Sequence, residues 1–268
     1  MNKILALFAI VTLCFACANN ETKVNANAEN DSTFVKVEEN IEDTIPQGAK
    51  KLMQVYPEKV KKYVGDMLLM ADGDSIPYDD GKKKGFIEML DNSDPEDMFT
   101  MQYKVGGIPE YLSDAGRSRS EQLFKSMYGS SESKVRRNLV QVEWFGRNIP
   151  FTTINGAADS LRAVATELRQ MPQYHQYLTN SASFYWRKVR GANRQSAHSY
   201  GIAIDINTTY SNYWLWECKG ASETDSIKYN NRIPEEIVLI FEKHGFIWGG
   251  RWYHFDTMHF EFRPELLK

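Results

Sequence analysis

The stretch that decides the fold is Ser-Ala-His-Ser-Tyr-Gly-Ile-Ala-Ile-Asp-Ile-Asn at residues 196–207. Its second half has isoleucine at every second position, and successive side chains of a strand point to opposite sides. We therefore predict a strand over Gly201 to Asn207 whose isoleucine face lies in the core. Asp205 then lies on the other face and needs a partner, because burying an unpaired carboxylate is costly.

His198 precedes Asp205 by seven residues, a length that would span roughly 23 Å in a fully extended chain. The two side chains can reach one metal ion only if the chain folds back between them. Gly201 supplies the backbone freedom for such a turn. We therefore expect a sharp turn just before the strand.

A second stretch, Asp-Thr-Met-His-Phe-Glu-Phe at residues 256–262, alternates in the same way. We predict a strand over 258–262 with its Met and Phe side chains in the core and with His259 and Glu261 on the opposite face. Asp256 lies three residues ahead of His259, at the point where this strand should begin.

If the two strands are neighbours, His198, Asp205 and His259 converge. Two imidazoles and one carboxylate form the ligand set of a catalytic zinc ion, which keeps a fourth position for water. Asp256 would then lie where it can accept a proton from that water.

These two blocks resemble those of the zinc D-alanyl-D-alanine carboxypeptidase and L-alanyl-D-glutamate endopeptidase family, the VanY-like LAS metallopeptidases. That family carries S-x-H-x-x-G-x-A-x-D and a later acid-x-x-H. Here Ser196 to Asp205 completes the first block and Asp256 to His259 the second. The resemblance covers about residues 139–266. It implies an α+β fold, with a small antiparallel sheet and flanking helices.

The resemblance also implies roles for individual residues. His198, Asp205 and His259 would be the metal ligands, and Asp256 the catalytic acid and base. Many members have Glu at that position, and Asp is shorter. The family often uses an upstream arginine to bind carbonyl or carboxylate oxygens. Arg187, Arg190 and Arg194 are candidates, and we favour Arg187 because it follows Trp186 on a predicted strand.

Three further residues have two interpretations each. Ser196 either orients a ligand or is a turn hydroxyl. His254 either lines the cleft or caps a turn. Glu261 is either a partner that orients a metal ligand or a salt-bridged structural acid.

Mixed strands and helices independently favour an α+β domain. We predict further strands over 139–144, 151–154 and 183–189, and helices over 158–170 and 234–244. Apolar residues at helical spacing after Pro57 predict another helix that ends at residues 72–74. Residues 91–135 are polar and should be irregular. Asp79 to Lys84 predicts a solvated, charged turn; a calcium loop is the alternative, although it lacks the alternating ligands and the distal Glu.

The N-terminus resembles a bacterial lipoprotein signal over residues 1–16. Lys3 precedes a short apolar run that is too short to cross a bilayer, and Cys17 would be the lipidated residue. An ordinary signal peptide cut near Ala16 or Ala18 is the alternative. Residues 17–49 predict a disordered acidic linker, residues 50–135 an extension of unknown role, and residues 136–268 the zinc peptidase domain.

Composition excludes several classes of protein. The net charge of −3 argues against a general nucleic-acid binder. A hydrophobic fraction of 42% excludes disorder throughout, and three cysteines cannot staple a disulfide scaffold.

We therefore expect an envelope protein, lipid-anchored and facing the periplasm or the outer surface, that uses one Zn²⁺ to hydrolyse peptidoglycan stem peptides. The bond that it cuts stays open between the carboxypeptidase and the endopeptidase types. A non-catalytic, zinc-containing cell-wall binding lipoprotein is the alternative, and a metal-free structural lipoprotein is a third interpretation.

Overall fold

Three small antiparallel sheets organise the protein, as the computed structural model shows for residues 45–267. The first contains β1 (Val60–Val64), β2 (Met67–Met70) and β3 (Ser75–Pro77), and the second pairs β4 (Leu139–Trp144) with β5 (Arg147–Thr152). The third has the order β6 (Ala203–Asp205), β8 (His259–Phe262), β7 (Phe246–Trp248). The predicted signal peptide, Cys17 and most of the predicted linker lie outside the described residues.

Eight helices of the described residues surround these sheets: α1 (Gln47–Val55), α2 (Phe86–Asp91), α3 (Glu121–Tyr128), α4 (Glu132–Arg136), α5 (Ala157–Arg169), α6 (His175–Leu178), α7 (Trp214–Glu217) and α8 (Glu235–Lys243). Small antiparallel sheets with surrounding helices make the α+β class that the sequence predicts. None of the helices within residues 45–267 has the length and apolar character needed to cross a bilayer.

The site-bearing sheet lies on the main core. The three isoleucines of the predicted strand, Ile202, Ile204 and Ile206, are fully buried. On the same core, Phe260 of β8 stacks on Phe241 of α8 with their ring centroids 3.9 Å apart. β6 and β8 are thus held from behind by a continuous apolar layer, which fixes the face that points toward solvent.

The predicted helices over 158–170 and 234–244 and the strands over 139–144 and 258–262 are confirmed within one residue at each end. The two helices have clear apolar faces, and in α5 the four predicted core residues are all buried, namely Leu161, Val164, Ala165 and Leu168. The strand predicted over 201–207 is shorter at both ends, because Gly201 ends the turn that precedes β6 and residues 206–207 follow the strand. The strand predicted over 151–154 begins earlier, at Arg147.

The helix predicted after Pro57 is wrong, because β1 and β2 form a hairpin there. Gly65 and Asp66 both have positive φ, 55° and 62°, which is the backbone of a two-residue hairpin turn. Val64, one of the residues counted toward the helix, is 58% exposed. The helical spacing of the apolar residues was therefore a coincidence of the hairpin's two alternating strands.

The strand predicted over 183–189 is also wrong. This segment forms only an isolated bridge between Lys188 and Gln195. The Ser199 hydroxyl accepts a hydrogen bond from the Arg187 backbone N at 2.9 Å and lies 2.8 Å from the Arg187 carbonyl oxygen, to which it donates. The backbone groups of this segment therefore bond the Ser199 side chain and the backbone of residues 194–198 rather than a continuous neighbouring strand.

The boundaries predicted near the N-terminus need two corrections. α1 begins at Gln47, and Gly48 and Ala49 are already buried within it, so the linker ends before residue 49. Residues 91–135 are not wholly irregular, since α3 and most of α4 lie there with Ser120 and Ser131 as N-caps. The buried apolar cluster also joins residues on both sides of position 135, such as Phe124 and Phe246, so the predicted extension and the predicted domain share one core.

Candidate active site

The pairing of β6 with β8 brings two candidate ligands together. Asp205 lies directly opposite His259 in the antiparallel register, and directly opposed side chains on one face of such a pair lie close together. Because the isoleucine face of β6 is in the core, both polar side chains lie on the face that borders the cleft.

His198 reaches the same point from a short 3₁₀ turn, Ala197–Tyr200, that ends at Gly201. Gly201 has φ = 70°, and a Cβ there would lie 2.5 Å from Cδ2 of Leu139. The chain therefore folds back at the predicted position, and only glycine fits both the backbone angle and the space.

The three candidate ligand atoms lie within hydrogen-bond distance of one another. Asp205 Oδ1 is 3.0 Å from His259 Nδ1 and 3.2 Å from His198 Nε2, and the two nitrogens are 3.2 Å apart. Zinc ligands at tetrahedral positions about 2.0–2.1 Å from the metal are roughly 3.3 Å apart. The spacing of the three atoms thus fits one tetrahedral metal ion.

The outer nitrogen of each imidazole faces an acceptor. His198 Nδ1 donates to the carbonyl oxygen of Ser183 at 2.6 Å, and His259 Nε2 faces Oε2 of Glu261 at 3.5 Å. These partners leave His198 Nε2 and His259 Nδ1 with lone pairs directed at each other, so a proton or a metal cation must lie between them.

The electrostatics of the cluster favour a positive charge between its side chains. Burial opposes ionisation of Asp205, but His198 and His259 hold the pKa of that carboxyl well below its usual range. Burial alone would lower the pKa of His259, whereas hydrogen bonds to Asp205 and Glu261 raise it to about 10. The carboxylates thus attract a cation to this point.

Asp256 lies in the same cleft without a hydrogen-bond partner for one oxygen. Its Oδ1 is buried and unpaired among residues 45–267, and burial together with the charge of Asp205 raises the pKa of the Asp256 carboxyl to about 7. The Asp256 backbone packs closely against Gly249, since a Cβ at Gly249 would lie 2.5 Å from the Asp256 carbonyl oxygen. A carboxyl with a pKa near neutrality can both accept and return a proton.

The cleft has a volume of about 470 Å³ and is lined by six basic side chains. Arg117, Arg119 and Arg194 are largely buried at its floor, whereas the others, Arg187, Lys188 and Arg190, are exposed at its rim. The guanidinium of Arg187, the favoured sequence candidate, donates only to the Lys188 carbonyl oxygen, at 3.3 Å, among the described residues.

Two floor arginines keep an unused donor. The Nε atoms of Arg119 and Arg194 are buried and have no hydrogen-bond partner within residues 45–267. Burial and the positive charges of Arg119 and Arg117 lower the pKa of Arg194 to about 10. A bound anion would relieve both the unpaired donors and the repulsion. The sequence did not point to Arg117 or Arg119, because they come from a loop far upstream of both blocks.

The remaining sequence candidates have distinct surroundings. Ser196 lines the cleft, and its backbone N donates to the Arg187 carbonyl oxygen at 3.1 Å. Glu261 is fully buried beside His259 and bonds Arg263 at 3.2 Å. His254 borders the cleft, but both ring nitrogens already have partners, namely Asp114 at 2.5 Å and the Glu223 carbonyl oxygen at 2.9 Å.

Two further clusters of acidic residues have an internal cation. Arg117 bonds Asp114 at 2.6 Å and Glu223 at 2.7 Å beside His254. At the turn for which a calcium loop was the alternative, the ammonium of Lys84 bonds Asp97 at 2.6 Å and Asp94 at 2.9 Å, and its side chain is only 1% exposed. Lys84 therefore supplies the positive charge at this turn, and the prediction that the whole charged run is solvated is wrong.

Residues 190–262 match the family model described as D-alanyl-D-alanine carboxypeptidase. The matched segment is similar to that peptidase family. It contains the three converging ligands and Asp256, so the resemblance predicted from the two sequence blocks is confirmed. No curated protein and no solved structure matches the chain significantly.

Proposed function

We propose that the protein is a zinc-dependent peptidase that hydrolyses peptidoglycan stem peptides, either as a D-Ala-D-Ala carboxypeptidase or as an L-Ala-D-Glu endopeptidase. The observation that carries the proposal is the convergence of three metal-type donor atoms beside an unpartnered carboxylate in one cleft. The peptidase family match over the same residues supports it.

His198, Asp205 and His259 would hold the zinc ion. When bound, zinc supplies a Lewis acid and lowers the pKa of a coordinated water toward neutrality. The imidazoles are oriented by Ser183 and Glu261, and such outer partners keep the ligating nitrogens deprotonated and correctly directed.

Asp256 would move the proton. Its unpaired Oδ1 accepts a proton from the attacking water and returns it to the leaving amine once the peptide bond breaks. The raised pKa of this carboxyl suits both steps, although a bound cation would lower it from the value of about 7.

Arg119 and Arg194 would bind the substrate's oxygens from the cleft floor. Each offers a buried, unpaired Nε, and a guanidinium fork matches a carboxylate or a developing oxyanion. Arg187 at the rim remains a candidate for contact with a more distant carboxylate of the stem peptide.

The envelope location is part of the proposal. A lipid on Cys17, followed by an acidic linker that ends before α1, would tether the peptidase near its polymeric substrate. The apolar run and the small residue before Cys17 support this assignment.

A digest of purified muropeptides, analysed by mass spectrometry, tests the function. Wild-type protein should release fragments, and a chelator should stop the release. Asp256→Asn should slow hydrolysis about 10²- to 10⁴-fold while zinc content is unchanged, and the control Asp159→Asn, at a side chain 82% exposed on α5, should have no effect. Full hydrolysis by Asp256→Asn would overturn the assignment of the acid and base.

A non-catalytic, zinc-containing cell-wall binding lipoprotein is the second candidate. The observation that favours it is the short Asp256 where many family members have Glu. Zinc-loaded wild-type protein that binds cell-wall sacculi but cleaves no stem peptide would support this candidate and contradict the peptidase.

A further inference from the structure

A chain of buried polar side chains joins the N-terminal helix α1 to His259. It begins at Tyr56, the residue directly after α1. The Tyr56 hydroxyl donates a hydrogen bond to Glu265. Glu265 accepts from Arg263 Nε at 2.5 Å, and Arg263 Nη1 donates to Glu261 at 3.2 Å. Glu261 then faces His259 Nε2 at 3.5 Å. Each successive member bonds or directly faces the next.

The four members between α1 and His259 are almost completely shielded from water. Glu261, Arg263 and Glu265 have no exposed surface, and Tyr56 is 1% exposed. Charges buried in this way must be paired and hydrogen-bonded, and their geometry is then tightly constrained. Phe124 of α3 closes the chain from one side, with the Arg263 guanidinium 5.0 Å from its ring centroid.

A loop of the same N-terminal segment braces the chain at Gly116. The Gly116 carbonyl oxygen accepts from Arg119 and from Arg263, both at 3.0 Å. A Cβ at Gly116 would lie 2.2 Å from Ile247 and 3.2 Å from Oε1 of Glu261, and its φ is 102°. Only glycine therefore allows this loop to approach β7 and β8 so closely.

We propose that Tyr56, Glu265 and Arg263 are positioning residues, which act through Glu261 to hold the His259 imidazole with Nδ1 directed at the metal site. The segment of unknown role, residues 50–135, is then a working part of the site. As far as zinc affinity is concerned, this inference rests on the proposed function. The part of the inference that concerns the orientation of the His259 ring does not depend on the proposed function.

The experiment compares two buried tyrosines that each donate to a buried glutamate. Tyr56 donates to Glu265, a member of the chain, whereas Tyr103 donates at 2.6 Å to Glu242, which is not a member. Both Tyr56→Phe and Tyr103→Phe remove a buried tyrosine–glutamate hydrogen bond, and Tyr103→Phe also removes the acceptor of the Trp248 backbone N–H at 2.9 Å. Zinc affinity is measured by competition with a chelator. The order of the His259 ring is measured from its imidazole resonances in isotope-labelled, metal-free protein.

We expect Tyr56→Phe to lower zinc affinity roughly 3- to 10-fold, less than the 10- to 100-fold typical of a direct partner of a ligand. It should also broaden or double the His259 resonances. Tyr103→Phe should leave zinc affinity and the His259 resonances unchanged while lowering the melting temperature at least as much as Tyr56→Phe does, because it removes two hydrogen bonds. If Tyr56→Phe and Tyr103→Phe change the zinc affinity and the His259 resonances to the same extent, the proposal is overturned.

Two further outcomes also decide the proposal. If Tyr56→Phe does not fold, Arg263→Lys, which keeps the charge but loses the fork, should disorder the ring in the same way, and an unchanged ring would overturn the proposal. If wild-type protein binds no zinc, the proposed function fails, but the ring resonances of Tyr56→Phe still decide whether the chain positions His259.

Discussion

Two clusters of histidine and carboxylate side chains border the same cleft and differ in the source of their positive charge. In the Arg117 cluster, which comprises Arg117, Asp114, Glu223 and His254, the guanidinium bonds both carboxylates. In the metal cluster, which comprises His198, Asp205 and His259, Asp205 pairs only with the two histidines among residues 45–267.

The difference shows which cluster is complete by itself. Buried carboxylates require a cation, and the Arg117 cluster contains one that cannot lose its charge. The metal cluster has only imidazoles, which must be neutral to bind a metal. The same side-chain types therefore form a structural network in one place and the proposed metal site in the other.

The largest expected effect comes from substituting one histidine in each cluster. His259→Ala should lose bound zinc and reduce hydrolysis by about a thousandfold or more, because two ligands do not hold a catalytic zinc ion. His254→Gln should keep one zinc per chain. Elemental analysis of both purified variants checks the contrast. Loss of zinc from His254→Gln with retention of zinc by His259→Ala would reverse the assignment of the clusters.

The next effect concerns stability. Arg117→Met leaves Asp114 buried beside Glu223 without its guanidinium partner, so the free energy of unfolding should fall by about 3–5 kcal/mol. Zinc content should be unchanged, since the metal ligands are elsewhere. Denaturant unfolding of the metal-free proteins measures the change, and a loss below about 1 kcal/mol would show that Arg117 does not balance this cluster.

The smallest effect is a pH dependence at Asp114. Burial alone would raise the pKa of this carboxyl, but His254 and Arg117 hold it below its usual value. A lowered pKa contributes stability above the unfolded-state value of about 3.9, and that contribution is lost as the pH falls below it. Asp114→Asn should therefore destabilise the protein by about 1–3 kcal/mol at neutral pH, and the difference from wild type should shrink on acidification. A difference that is constant down to about pH 3 would contradict the assignment.

The sequence predicted the convergence of His198, Asp205 and His259 because the signals for it are local. The alternating isoleucines fixed which way Asp205 points, the same alternation placed His259, and Gly201 marked the turn that returns His198. Helices α5 and α8 were equally predictable from the sequence, since each has a continuous apolar face.

The sequence did not predict features that depend on distant contacts. The hairpin of β1 and β2 imitates helical spacing, and only the Gly65-Asp66 turn separates the two possibilities. Arg117 and Arg119 lie in a loop without periodicity, and they reach the cleft only because that loop packs against β8 at Gly116. No local sequence pattern predicts that such residues reach the cleft.

The most direct test is to locate the metal in crystals of zinc-loaded protein by anomalous scattering at the zinc absorption edge. We predict one peak about 2.0–2.2 Å from His198 Nε2, Asp205 Oδ1 and His259 Nδ1, and none at the Arg117 cluster. A peak among Asp114, Glu223 and His254, or no peak beside His259, would contradict the account.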